Sequence, residues 1–295
     1  MTPMKIVDPH VHLWDLSTGL YPGLEKPSTG LIGDNTAIAR SYLLDELLAE
    51  GESEFEIAKV VNVEAFPTDP VEESRVLQRL ADRTGVPIAI VAAANLAEPN
   101  CQRILESQAA FANVRGIRQV LNVHPNPLYN YVGENYLANM AWRENFGLLA
   151  RYGMSFDMQL YPHQMAAASG LIAAHPDIQF ILNHAGMFVD RTLGGWRQWR
   201  DGLRALAGFD NVAVKISGLG MFDHRWTVES FRPYVLEALD AFGARRAMFA
   251  SNFPVDKLFG SYVALWRAFS QITGDLSVDE HAGLFHANAE RIYRI

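Results

Sequence analysis

Two histidines one residue apart, His10 and His12, close the segment Lys5-Ile6-Val7-Asp8-Pro9-His10-Val11-His12. In an extended chain residues i and i+2 point to the same face, so both rings can converge at the carboxyl end of a strand. Neutral imidazole is both a metal ligand and a proton carrier. The pair therefore suits a divalent cation or a polarised substrate oxygen. Two unrelated histidines at a strand end would look the same in isolation, but more polar residues follow other short apolar runs. Glu64 ends the run 59–63, and Arg118 lies in 116–121 ahead of Asn122 and His124. Asp157, Gln159 and Tyr161 lie in or just past 155–160, with His163 beyond, and Asn183 and His184 follow 179–182. Lys215 and Ser217 close 212–216, ahead of Asp223, His224 and Arg225; Ser251, Asn252 and Asp256 follow 247–250.

The runs that must position these residues are 6–9, 59–63, 87–92, 116–121, 155–160, 179–182, 212–216 and 247–250. Their near-continuous apolar character is that of parallel strands covered on both faces. Amphipathic stretches lie between them, among them 71–83, 98–112, 134–151, 165–174 and 228–242. Asp69-Pro70 opens the stretch 71–83 with a cap and a first-turn proline, and Gly85 follows its end. Eight strands alternating with helices predict an α/β fold, a single (β/α)8 TIM barrel, rather than an open doubly wound sheet. No GxGxxG or P-loop follows the first strand, which disfavours nucleotide binding. The Gly-, Pro- and Thr-rich segment 15–40 is a long first loop, placed to act as a lid. In a barrel the active site lies at the carboxyl ends of the strands, where the polar residues above gather.

Bulk composition narrows the partners. The chain has 295 residues, 49% of them hydrophobic, enough for one large core. A formal charge of −8 with no basic stripe disfavours a nucleic-acid or anionic-membrane partner. One cysteine, Cys101, forbids an intrachain disulfide and fits a reducing cytoplasm. The chain shows no signal-peptide pattern and no apolar run of membrane-spanning length. The expected partner is a small-molecule substrate, and a homo-oligomer is compatible with the sequence.

Four separated motifs carry a resemblance. Asp8-Pro9-His10-Val11-His12-Leu13-Trp14-Asp15, Leu182-Asn183-His184-Ala185-Gly186, Lys215-Ile216-Ser217-Gly218-Leu219 and Ser251-Asn252-Phe253-Pro254 occur in that order. Together they resemble the amidohydrolase superfamily, in the branch that includes sugar lactonases and 2-pyrone-4,6-dicarboxylate lactonase. The resemblance spans nearly the whole chain. It implies a (β/α)8 barrel that hydrolyses a cyclic ester, with His10, His12 and His184 lining the site and a carboxylate after strand eight activating water. The chain departs from that branch at Asn252, where members read Ser-Asp-Trp-Pro. Gln159 stands where metal-dependent members carry a histidine ligand. An amide is isosteric with a carboxylate but takes no proton at neutral pH and brings no charge to a cation.

Two arrangements stay open. Glu64 could join His10, His12 and His184 around one divalent metal, Zn²⁺ being the natural choice for mixed nitrogen and oxygen ligands. Alternatively the site works without metal, as resemblance to the pyrone lactonase allows. The histidines with Arg118 and Lys215 would then polarise the substrate directly. Lactone opening needs a base for water and donors for the developing oxyanion. Candidates for catalysis are His184, Asp256, Glu64, His10 and His12. Arg118, Lys215, Asn183, Gln159, Tyr161, His224 and Asn252 are candidates for substrate binding. The Arg118 fork matches a substrate carboxylate or an internal acid equally well, and Lys215 has Glu64 or Asp157 as internal partners. Trp14, Tyr21, Tyr161, Phe222 and Trp226 could wall a ring-shaped ligand. The favoured reading is a hydrolase opening a sugar-acid or dicarboxylate lactone. A decarboxylase or lactone isomerase on the same barrel, and a non-catalytic binder, are the alternatives.

Overall fold

The computed structural model describes residues 3–295 and forms the barrel by pairing its strands in chain order. The strands are β1 (Met4–Val11), β2 (Phe55–Val63), β3 (Ile88–Ala93) and β4 (Val114–Val120), then β5 (Ser155–Gln159), β6 (Phe180–Leu182), β7 (Val212–Ile216) and β8 (Ala247–Phe249). Every neighbouring pair is parallel. The ladder between β1 and β2 shifts between Asp8 and Val11, around Pro9, which has no N–H to donate.

Closure falls where β1 meets the segment after β8. Val11 bridges Phe253 in parallel, the His12 N–H donates to the Phe253 carbonyl at 2.8 Å, and the Asn252 N–H donates to the His10 carbonyl at 2.9 Å. Asp8 fastens the same seam. Its Oδ1 accepts from the Ser251 N–H at 3.0 Å and its Oδ2 from the Tyr262 hydroxyl at 3.0 Å. Burial pushes the Asp8 carboxyl up to about 6, against these hydrogen bonds. The histidine pair and Asn252 are thus set side by side by backbone hydrogen bonds.

Val7, Val61, Val91, Ile181 and Met248 fill the barrel interior with Tyr293 from the last helix, Asn288–Tyr293. A larger core lies between the strands and the surrounding helices. The helix expected at 71–83 runs Pro70–Arg83, with Asp69 accepting from the Val71 and Glu72 N–H groups at 3.0 Å each. The stretch 134–151 is broken instead. Asn139 caps a new start by accepting from the Trp142 N–H at 2.9 Å, and Gly147 separates helices Met140–Phe146 and Leu148–Arg151. Among the described residues no helix is long and apolar enough to cross a membrane.

The segment 15–40 folds over the barrel mouth through two short 3-10 turns and a two-rung ribbon, Thr29–Gly30 against Gly33–Asp34. Its ends are pinned. Trp14 and Tyr42 exchange backbone hydrogen bonds, and Trp14 Nε1 donates to the Arg40 carbonyl at 2.6 Å. Midway, the Thr68 N–H donates to the Leu20 carbonyl at 2.9 Å, and the Tyr21 hydroxyl donates to Glu73 Oε1 at 3.1 Å. Glu73 Oε1 also accepts from the Ala65 N–H at 3.0 Å, so one buried carboxyl ties the lid to the loop after β2.

Candidate active site

A cavity of about 230 Å³ lies between the lid and the carboxyl ends of the strands. Its polar floor is His12, Arg118, Gln159, His184 and Asn252. Leu24, Leu31, Ile32 and Ile38 roof it from the lid, while Trp14, Phe66, Tyr131, Met187 and Met221 form its sides.

The three histidines are neighbours. The His10 ring centroid lies 5.0 Å from that of His12 and 4.5 Å from that of His184. Each Nδ1 has its own partner. His12 Nδ1 faces the Val63 carbonyl at 2.8 Å; a carbonyl only accepts, so the proton sits on Nδ1 and Nε2 carries a lone pair. His184 Nδ1 lies 3.0 Å from Ser217 Oγ, whose hydroxyl can donate to it and leave a proton on Nε2. His10 Nδ1 lies 3.3 Å from Lys215 Nζ. An ammonium only donates, so His10 keeps its proton on Nε2, a buried atom with no protein partner. Burial first, then Lys215, holds His10 well below the ordinary histidine range. Burial and Arg118 do the same for His184 and lower His12 to about 3. All three rings are neutral at neutral pH.

A strained turn presents His184. His184 and Ala185 have φ of 54° and 48°, in the left-handed region that costs on the order of 1–3 kcal/mol per non-glycine residue. Trp199 Nε1 holds the turn by donating to the Ala185 carbonyl at 2.6 Å. Gly218 makes room for the ring: a Cβ there would lie 2.6 Å from His184 Nδ1, and its φ is +64°.

Other expected residues take different places. Glu64 does not reach the histidines as a ligand, because Arg118 Nε donates to its Oε1 at 2.6 Å and the Phe66 N–H to its Oε2 at 2.7 Å. Arg118 lines the cavity, but its fork also holds the Glu64 carbonyl at 2.5 Å and Gln159 Oε1 at 3.2 Å. Of the two partners the sequence leaves open for the Arg118 fork, the structure shows the internal acid, Glu64. Lys215 is likewise no wall residue, being fully buried with Nζ 2.5 Å from Asp157 Oδ2. Asp157 also accepts from the Tyr293 hydroxyl at 2.9 Å. Asp256 lies outside the cavity wall beside Asn252. Burial raises its pKa well above the usual carboxylate range, opposed by the Gly218 backbone and the Asn252 amide. The amide nitrogen of Asn252 is buried, and the residue lines the cavity.

Asn183 and Tyr161 are fully buried and do not line the cavity. His224 stacks on Phe259 with centroids 4.6 Å apart, outside the wall. Of the expected aromatic wall only Trp14 lines the cavity; Phe66 and Tyr131 take the other places. Ser217 reads in sequence as an incidental polar residue, yet it is the partner of His184. Its position one residue before the Gly218 that clears space for the ring was the available signal. Met187 and Met221 carry no chemical signal and are found only through the fold.

The donor set decides how a metal would fit. Three imidazoles are the right atoms for Zn²⁺, but a ligating nitrogen must offer a lone pair. His10 Nε2 carries a proton fixed by Lys215, Glu64 is held by Arg118, and position 252 is an amide. Among the described residues no three His, Cys, Asp or Glu side chains form a metal-holding group. The residues do not fit the four-ligand centre that Glu64 and the three histidines could have made.

The amidohydrolase family profile matches residues 7–295, and the chain belongs to that family. The uncharacterized protein y4mH of Sinorhizobium fredii is 46% identical over 301 residues, covering all of both chains. An L-fucono-1,5-lactonase of Burkholderia ambifaria is 27% identical over 306 residues, covering 98% of this chain and 95% of its own. A crystal structure of an amidohydrolase from Burkholderia multivorans with bound zinc superposes with a TM-score of 0.82 at 24% identity, covering 98% and 99% of the two chains. That likeness confirms the barrel.

Proposed function

We propose that this protein opens a small cyclic ester by attack of water on the ring carbonyl. The observation that carries the reading is that His12 and His184 line the cavity floor together, each with its Nδ1 engaged by a neighbour. His12, its Nδ1–H donated to the Val63 carbonyl, offers the lone pair of Nε2 to the cavity. His184, accepting from Ser217, offers an Nε2 proton. A proton acceptor for water beside a hydrogen-bond donor for the leaving oxygen is what ester hydrolysis requires.

Water held by the Asn252 side chain gives its proton to His12 Nε2 as it adds to the carbonyl carbon. The Val63 carbonyl steadies the imidazolium that forms. Negative charge on the carbonyl oxygen meets the N–H groups that Arg118 does not give to Glu64 or Gln159, and the Gln159 amide nitrogen. The tetrahedral species collapses with rupture of the acyl carbon to ring oxygen bond; the His12 imidazolium returns its proton to the departing alkoxide, while the neutral His184 ring holds that oxygen through its Nε2–H and keeps its proton. The product is a hydroxy acid. The lactonase of B. ambifaria supports this reaction class. The zinc of the B. multivorans structure does not enter the scheme, because this donor set does not fit it.

A pH indicator in weak buffer, with a panel of 1,4- and 1,5-lactones, tests the reading. One proton released per lactone consumed is the expected result. Folded protein that releases no protons from any lactone, or that liberates carbon dioxide from a carboxylated phenol instead, overturns it.

A further inference from the structure

We infer that the substrate is an uncharged lactone bearing an apolar substituent, rather than a polyhydroxylated or carboxylated one. The inference rests on the lactone-hydrolase reading and names the substrate class of the same cavity.

The first argument is charge. Arg118 is the one formally charged side chain among the described residues that line the cavity, and Glu64 neutralises it at 2.6 Å. Lys215 is fully buried and paired with Asp157. A carboxylate on the substrate would meet no unpaired cation, and a carboxylate desolvated without one binds poorly.

The second argument is the roof. Leu24, Leu31, Ile32 and Ile38 face the floor from the lid, and Met187 and Met221 continue the same surface from the loops after β6 and β7. Of the polar roof residues Ser28 and Asn35, the Asn35 side-chain oxygen is already engaged within the lid. Asn35 Oδ1 accepts from the Ser28 N–H at 2.6 Å, and the Asn35 N–H donates to the Ser28 carbonyl at 3.2 Å. A ring hydroxyl pressed against these leucine, isoleucine and methionine side chains loses water and gains no partner, whereas a methylene gains burial. The two methionines adapt to irregular apolar shapes.

The mouth supplies a third, independent observation. Phe66 and Tyr131 line the cavity yet are 48% and 54% exposed, with ring centroids 5.4 Å apart. Phe66 holds a left-handed backbone, φ 56°, an unfavourable conformation for a bulky residue, and its ring covers the Arg118 guanidinium at 5.3 Å. An exposed aromatic pair, one ring of which covers the Arg118 guanidinium, makes an apolar entrance.

The experiment compares kcat/KM for δ-valerolactone, its 5-propyl and 5-pentyl derivatives, an aldono-1,5-lactone and a carboxylated pyrone lactone. The value is expected to climb roughly threefold per added methylene while the roof is being covered. The aldonolactone and the carboxylated lactone are expected at least ~10-fold below the pentyl derivative. Ile32→Asn and, as a second variant, Leu31→Asn should each shrink the pentyl-to-unsubstituted ratio several-fold. A flat response to chain length, or faster turnover of the aldonolactone or the carboxylated lactone, overturns the inference and leaves lactone hydrolysis standing. Folded protein that opens none of the lactones brings down the hydrolase reading and this inference with it.

Discussion

Lys215 Nζ lies 3.3 Å from His10 Nδ1 and 2.5 Å from Asp157 Oδ2, in a fully buried position. A cation placed under an imidazole determines which ring nitrogen carries the proton. The same cation leaves a buried carboxylate unpaired if it is removed. Lys215→Met should therefore destabilise the fold by about 3–5 kcal/mol, the usual cost of stranding one member of a buried pair. Lys215→Met combined with Asp157→Leu should recover much of that loss in a urea titration. A single variant of normal stability whose only defect is a raised KM would instead make Lys215 a substrate contact.

His184 and Gly218 should fail together. His184→Ala removes the proposed hydrogen-bond donor to the leaving oxygen and should lower kcat by ~10²–10³. Gly218→Ala puts a Cβ at 2.6 Å from His184 Nδ1 and forces a side chain onto a φ of +64°. It should cost about 10²-fold or more in kcat by displacing the ring. Near-normal turnover in folded His184→Ala would assign the ring a packing role.

The barrel was legible because its strands are covered on both faces, and near-continuous apolar runs such as 179–182 and 247–250 leave few other readings. The strand-end rule points to one mouth, where His12, His184, Gln159, Arg118 and Asn252 line the cavity and His10 is buried beside the other two histidines without lining it. The wiring beneath was not legible. Whether Arg118 meets a ligand or Glu64, and whether Lys215 faces the cavity or Asp157, depends on side-chain direction across neighbouring strands. Spacing along one strand does not encode that. The lid could be located from its Gly, Pro and Thr content, but Leu24, Leu31 and Ile32 form no periodic pattern that would announce an apolar roof.

Stability should respond to Glu73. Burial, then the nearby Glu64 charge, pushes this carboxyl from an unfolded value of 4.5 up to about 8. The Ala65 N–H, the Tyr21 hydroxyl and Arg118 oppose the rise. Between those values the folded chain holds a proton that the unfolded chain has lost. Stability from this group is thus fully present below pH 4.5, falls as pH rises, and stops falling above 8. Glu73→Gln keeps an acceptor for Ala65 and Tyr21 and removes the titration. At pH 8.5 the variant should be more stable than the parent by on the order of a few kcal/mol, with little difference at pH 4.5. Equal slopes of stability against pH for the two proteins would contradict this.

Asn252→Asp tests the metal argument. The residue already has φ of 59°, a conformation aspartate tolerates. A carboxylate there would face His12 and His184 and supply the charge a divalent cation lacks at this site. After dialysis against zinc-containing and then zinc-free buffer, the variant should retain several-fold more zinc than the parent. Equal stoichiometric zinc in both would show that the histidines already hold the ion and that Lys215 does not fix the His10 proton.

The central claim is that water attacks the carbonyl carbon, and isotope placement tests it most directly. A lactone that the protein turns over is opened in H₂¹⁸O under single-turnover conditions, and the product is fragmented by mass spectrometry. The account predicts one ¹⁸O per product, in the carboxyl group, with the ring oxygen retained unlabelled in the hydroxyl. Label in the hydroxyl group, or none in the product, would contradict it.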